Sequence, residues 1–249
     1  LVILDNVRLD TGPWSEPKTM TVLLDALAPA TLIMTTRSRS ALTGFASIEV
    51  ESLPEELAIR MMTSLRAQHG QPSDSVTTPK IVRELGGLPK AIEVAAALLY
   101  SKQLREVDML DRLRRGKDRT LEGQLHELFG WSFAALDGEA QQVLLAMGQL
   151  AEAPVPSSLL ARLLPDVKQE AAVDRLVASN LAERRHTGRG LEVLQLHTTV
   201  WDWARELGPR QQPTLMTALQ ERMAESLKTH DEQVAPLLIT HLLTAQRLA

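Results

Sequence analysis

LVILDNV, residues 1–7, decides the reading of this chain: four apolar residues run straight into Asp5 and Asn6. A run this short and this continuously apolar, stopped by turn formers, has the length of a strand covered on both faces, as in the parallel sheet of an α/β layer. TLIM at 31–34 repeats the pattern and runs into TTRS. Between the two, TMTVLLDALAPA at 19–30 carries Val22, Leu23 and Leu27 at helical spacing, with Pro29 as a stop. The order is therefore β-α-β. A third short run, FASIEVESL at 45–53, ends the α/β part.

From Pro54 onward the periodicity is helical. PEELAIRMMTSLRAQ at 54–68 begins with a proline and two glutamates, which suit a helix N-terminus. TTPKIVRELGG at 77–87 ends on Gly86 and Gly87, and LPKAIEVAAALLYS at 88–101 restarts with Pro89 in its first turn. This middle block reads as a small helical bundle. The following segment, residues 102–119, holds seven basic and four acidic residues. Mixed signs read as a solvated helix or connector rather than as a basic binding patch.

Beyond Glu139 come three helical stretches, EAQQVLLAMGQLA, PSSLLARLL and KQEAAVDRLVASN, then two alternating runs, LAERRH and LEVLQLH, around the turn TGRG. Helix, helix, helix, hairpin is the order of a winged helix. Two amphipathic stretches, PTLMTALQERMAESLK at 213–228 and EQVAPLLITHLLTAQRL at 232–248, close the chain and are long enough to open a helical-repeat array.

Composition bounds what this chain does. Its 249 residues, 44% hydrophobic and 23% charged, support one large domain or two to three small ones. Aromatic residues are only 3%, so the core is aliphatic and helices outnumber strands. With no cysteine there is no disulfide framework, Cys-based zinc site or thiol nucleophile. No apolar run approaches the roughly 18 residues of a membrane span, and no basic region followed by an apolar one opens the chain, so the expected location is the cytoplasm, with no membrane partner. Residue 1 is not methionine and the chain starts inside an expected core strand, so the expectation is a fragment with an upstream part.

An apolar strand ending on a carboxylate puts Asp5 at the carboxyl edge of a parallel sheet, where open α/β sheets bind ligands and phosphate-binding folds hold Mg²⁺. The same LDN sequence also suits an ordinary Asx turn. Arg37, after the second strand, reaches the same edge, either as a phosphate ligand or as a surface arginine. The double-glycine turn before Pro89 is either helix punctuation or part of a site. His197, between the hairpin and a helix, is either structural or a ligand.

Taken in order, LVILDNV, LIMTTRS, GGLPKAI and LHTTVWDWARE resemble the Walker B strand, sensor-one strand, GLPL motif and MHD motif of the NB-ARC or AP-ATPase branch of the STAND signalling ATPases. The resemblance implies α/β followed by mostly α: a partial parallel sheet from a truncated P-loop NTPase core at 1–52, a helical domain at 53–119, a winged-helix domain at 120–209 and a C-terminal helical segment at 210–249. It implies that Asp5 organises Mg²⁺ and catalytic water. Asn6 stands where faster relatives carry a catalytic acid; an amide is no general base, so hydrolysis is slow and ATP/ADP acts as a switch. Arg37 senses the γ-phosphate, Pro89 packs near the adenine, and His197 touches the β-phosphate of ADP in a closed, inactive state, with Thr36, Gly87 and Leu88 as further cofactor-binding positions. Two positions depart from the family pattern: Lys90 replaces an apolar residue after the GLPL proline, and Thr198 replaces the MHD aspartate.

A phosphate loop, G-x-x-x-x-G-K-[ST], is absent from the 249 residues: before Gly116-Lys117 the required glycine is Asp111, and Asp118 follows. Its expected place is upstream, and this chain alone is expected to bind ATP or ADP weakly or not at all. The expected partners are that upstream segment, a second copy through the exposed sheet edge, and proteins docking on the C-terminal helices. A rival reading, a winged-helix DNA-binding regulator, requires a basic third helix, and KQEAAVDRLVASN balances Lys168 and Arg175 against Glu170 and Asp174. Arg184, Arg185 and Arg189 make the wing itself more basic. A nucleotide-independent hydrolase lacks G-x-S-x-G, H-E-x-x-H and any cluster among its six scattered histidines. A protein-interaction scaffold is compatible with the STAND reading.

Overall fold

The computed structural model describes residues 1–4, 7, 17–36, 46–116, 120–188 and 190–226. Two compact units result, Leu1–Glu51 and Ser52–Ala249.

In the first unit, β1 (Val2–Leu4) and β2 (Leu32–Met34) pair in parallel with Ile3 opposite Ile33, joined through α1 (Pro17–Leu27). The ladder continues past both strand ends, since Thr35 N donates to Leu4 O at 2.9 Å and Val7 N donates to Thr35 O at 2.9 Å. Period-two alternation puts Ile3 and Ile33 on one face, and both are exposed, whereas Val2, Leu4, Leu32 and Met34 are half-buried. The expectation of strands covered on both faces is corrected here: an apolar run does not distinguish two-sided cover from one-sided. The third apolar run does mark the end of the first unit, at Glu51, but without a strand among its described residues. Residues 46–53 form no strand, and Ile48 and Val50 are 88% and 91% exposed.

The second unit is helical, with one small sheet. Four helices open it: α2 (Glu55–Gln68), α3 (Thr77–Glu84), α4 (Pro89–Ser101) and α5 (Glu106–Arg115). Glu55 and Glu56 meet the N-terminal dipole of α2. Asp74 accepts from the Val76 and Thr77 backbone amides at 2.7 and 2.9 Å at the start of α3, and these bonds, Thr77 first, lower its pKa. Helix α4 is buried almost all round, which its run of alanines permits: α2 and α6 (Leu121–Ala135) both pack on it. A polar clamp inside the bundle joins three of these elements. Glu106 receives the Arg66 guanidinium, the Thr78 hydroxyl at 2.6 Å and the Asp74 amide at 3.1 Å.

Of the two alternatives for residues 102–119, a solvated helix or a connector, helix α5 is the one present, with only one face solvated. Glu106, Met109, Leu110 and Leu113 face the core, while Arg105–Asp108, Arg114–Glu84 and Arg115–Asp111 pair on the outer side. A charge count hid the apolar stripe at i, i+3, i+4.

Helix α6 was not legible, because its two glycines and three aromatic residues dilute the helical signal. Thr120 caps it by accepting from Gly123 N at 3.1 Å, and Phe129 and Phe133 sit edge-on to Trp203 at 6.0 and 5.6 Å. After it come α7 (Gly138–Gln149), β3 (Val155–Pro156), α8 (Ser157–Leu163), α9 (Gln169–Ala178), β4 (Ala182–His186), β5 (Glu192–Leu196), α10 (Thr198–Gln211) and α11 (Pro213–Ser226). The sheet runs β3-β5-β4, antiparallel throughout. Helices α7 and α10 pack backbone to backbone at Gly148, where a Cβ would lie 2.7 Å from the Ala204 carbonyl carbon. One continuous apolar core runs through these helices and the sheet. Of the two tail stretches, the first forms α11 and the second, 232–248, lies outside the described residues. Among the described residues, no helix is long and apolar enough to cross a membrane.

Candidate functional site

In the first unit the carboxyl ends of β1 and β2 lie side by side, tied by the Thr35 bonds to Leu4 and Val7. Thr36, the next residue, is exposed. Asp5, Asn6 and Arg37 lie outside the described residues.

The second unit holds the other candidates. The Gly86-Gly87 turn needs glycine at its second position on two counts: φ is +65°, and a Cβ on Gly87 would lie 2.6 Å from Leu53 O. That approach lets Leu53 N donate to Gly87 O at 3.0 Å, which anchors the start of the helical block to the turn. Leu88 then takes an extended conformation as the N-cap residue of α4, and Pro89 occupies the first helical position, where its fixed φ fits and its missing N–H costs nothing. Pro89 is exposed and Leu88 half-buried.

Lys90 follows, turned inward and 9% exposed. Its ammonium lies 2.8 Å from Glu93 Oε2, one turn along, and 3.7 Å from Glu183 Oε1 on β4. Glu183 is oriented from its other side by Arg185, whose Nη2 and Nε donate to Oε2 at 2.6 and 3.2 Å. Those bonds come first, and the Lys90 charge contributes too, in holding the Glu183 carboxyl below its ordinary pKa of 4.5.

His197 closes this junction as the N-cap residue of α10. Its Nδ1 accepts from Thr199 N at 3.3 Å and faces Thr199 Oγ1 at 3.0 Å. With Nδ1 an acceptor, the neutral ring carries its proton on Nε2. The ring keeps an exposed edge, yet loss of hydration holds its pKa below the ordinary 6.5, with the Lys90 charge as the second cause. Glu183, Glu93 and Glu152 pull in the opposite direction. The GGLPK turn and His197, distant in sequence, therefore share one electrostatic environment through Lys90 and Glu183.

As a phosphate contact this arrangement is mixed. The Nε2–H is a suitable donor, but Lys90 is already shared between two carboxylates and Glu152 adds a third nearby. Among the described residues, no group of carboxylates and histidines could hold a metal ion. A cleft of about 570 Å³ lined by Arg66, Gln71, Tyr100, Leu104 and Arg105 opens at the C-terminal end of α4, away from Pro89. Its buried arginine is taken by Glu106, so its walls offer little unclaimed charge.

In the sequence Lys90 stands out only as a departure from the GLPL pattern. Its i, i+3 spacing to Glu93 was available as a signal, but nothing local pointed to Glu183. No family model matches the chain, and no curated protein matches it.

Proposed function

We propose that this chain is the regulatory nucleotide-switch module of a STAND-class signal-transduction ATPase of the NB-ARC branch, controlling self-association or an effector through ADP and ATP. The observation that carries this reading is the junction just described: a double-glycine, proline-started helix turn and a histidine N-cap meet through Lys90 and Glu183. The parallel β1–β2 pair, whose carboxyl ends adjoin, supports it as well.

The order α7, α8, α9, β4, β5, with short β3 added to the sheet, supports a winged helix. The charge on the described residues of that hairpin favours a lid over a DNA reader; Arg189 lies outside them. Arg184 pairs with Asp174 and Glu192, Arg185 pairs with Glu183, and Arg175 on the third helix pairs with Asp137. Phosphate neutralisation needs cations that are not already compensated.

In this reading Asp5 would hold Mg²⁺, Arg37 would sense the terminal phosphate, Pro89 would pack near the adenine and His197 would contact a phosphate, with Thr36, Gly87 and Leu88 as further binding positions. Asn6 in place of a catalytic acid makes turnover slow. The bound nucleotide, rather than its hydrolysis, sets the state.

Titration of the ¹⁵N-labelled chain with Mg-ADP tests the proposal. Binding is expected to be weak, with Kd about millimolar (~4 kcal/mol), because the sequence has no phosphate loop and the His197 surroundings are acidic. Amide shifts at 86–92 and 197–200 are the expected footprint, and His197→Ala removes them. Mg-ADP shifts that fall elsewhere in the chain, or that persist at these amides in His197→Ala, refute the nucleotide reading.

A further inference from the structure

Among the described residues, Lys90 is the buried lysine at the junction, and it does more than replace an apolar residue. Lys90 has a side chain only 10% exposed, and it faces carboxylates on two different elements, Glu93 on its own helix and Glu183 on β4. The carboxylates are 32% and 46% exposed, so the pair keeps part of its hydration and escapes the desolvation penalty of a fully buried one. Arg185 takes Glu183 Oε2, which leaves Oε1 directed at the lysine. A second tie sits beside it: Asn180, in the left-handed region at φ +54° just after α9, donates from Nδ2 to Glu93 O at 3.1 Å. The most extensive packing of the two lies with other elements, β4 on α9 and β5, α4 on α2 and α6, within one continuous apolar core. The first turn of α4 is thus joined to the α9–β4 corner by polar contacts that can be made and broken.

We propose that Lys90 is an internal latch: its ammonium, shared between Glu93 of α4 and Glu183 of β4, holds the hairpin and the adjoining His197 turn docked on α4 when no nucleotide is bound. A partly hydrated pair of this kind biases an equilibrium by only about three- to fivefold, enough to favour the docked state and little enough for a ligand or partner to release it. Its meaning as an off-state device rests on the nucleotide-switch reading, whereas the docking itself is measured without nucleotide. Failure of one is therefore distinguishable from failure of the other.

The chain has no native cysteine, so spin labels can be placed at exposed Gln68 on α2 and exposed His186 on the hairpin through Gln68→Cys and His186→Cys. Pulsed electron double resonance then reads the distance distribution between bundle and hairpin in nucleotide-free protein. Lys90→Met keeps the stem and removes the charge; it is expected to raise the undocked, longer-distance population about three- to fivefold. Glu183→Gln should do the same. Lys90→Arg, which restores the cation, should return the docked distribution. An unchanged distribution in Lys90→Met overturns the latch. So does an unchanged one in Glu183→Gln, which would leave Glu93 as the lysine's only working partner, and so does equal broadening in Lys90→Arg, which would make stem packing rather than charge the cause.

Discussion

Replacing Glu106 by alanine tests the polar clamp that ties α2, α3 and α5 together. Glu106 is 6% exposed and Arg66 8%, so the substitution leaves a guanidinium without its counter-charge in a place water reaches poorly. It also strands the Thr78 hydroxyl and the Asp74 amide. Breaking a buried pair from one side costs about 3–5 kcal/mol. Arg66 also lines the cleft of about 570 Å³, which admits solvent to part of its surface, so the lower end of that range is expected. For a domain of this size about 3 kcal/mol is a fall in Tm of roughly 6–12 °C. Urea unfolding followed by far-ultraviolet circular dichroism should show a lower midpoint with an unchanged m-value. The pair Arg66→Met with Glu106→Leu removes both charges together, and it should lie within about 2 kcal/mol of the parent, because no charge is left uncompensated. The reasoning fails if Glu106→Ala costs less than about 1 kcal/mol, or if the double variant costs as much as the two single substitutions summed.

Three further outcomes are expected. Gly87→Ala meets both a positive φ and the Leu53 carbonyl at 2.6 Å, and should lower stability by about 2 kcal/mol in the same assay, whereas Gly130→Ala, with open space around its Cβ, should not lower it. His197 has its folded pKa held below 6.5, so between those values the unfolded chain binds more protons; stability is full above pH 6.5 and falls as pH drops through the folded value. His197→Asn keeps the helix cap and should flatten that part of a stability-against-pH profile, and a slope unchanged from the parent would show that other groups carry it. Isothermal titration of this chain with Mg-ATP should show weak binding or none; micromolar affinity would contradict the dependence on a phosphate loop.

Helix starts, stops and the hairpin were readable from the residues because their signals are local. Pro54 with two glutamates, the Gly86-Gly87 stop, Pro89 at a first turn, and TGRG between two alternating runs each act within one turn of chain. The β-α-β order at the start follows likewise from apolar runs of strand length. Helix α6 was hidden by residues that lower helical propensity but fill the space around Trp203, where packing overrides propensity. Strand β3, two residues long, exists only because β5 is there to pair with it.

Sequence alone determined the spacing of candidate residues, the absence of cysteine and of a phosphate loop, and the period of each amphipathic element. Tertiary structure decided which charges are buried and with whom. Whether Lys90 is a solvated surface residue or a cation held between Glu93 and Glu183, and whether Glu106 faces water or Arg66, depends on segments tens of residues away. The free energy of a charge is set by what surrounds it in three dimensions, and no local pattern carries that information.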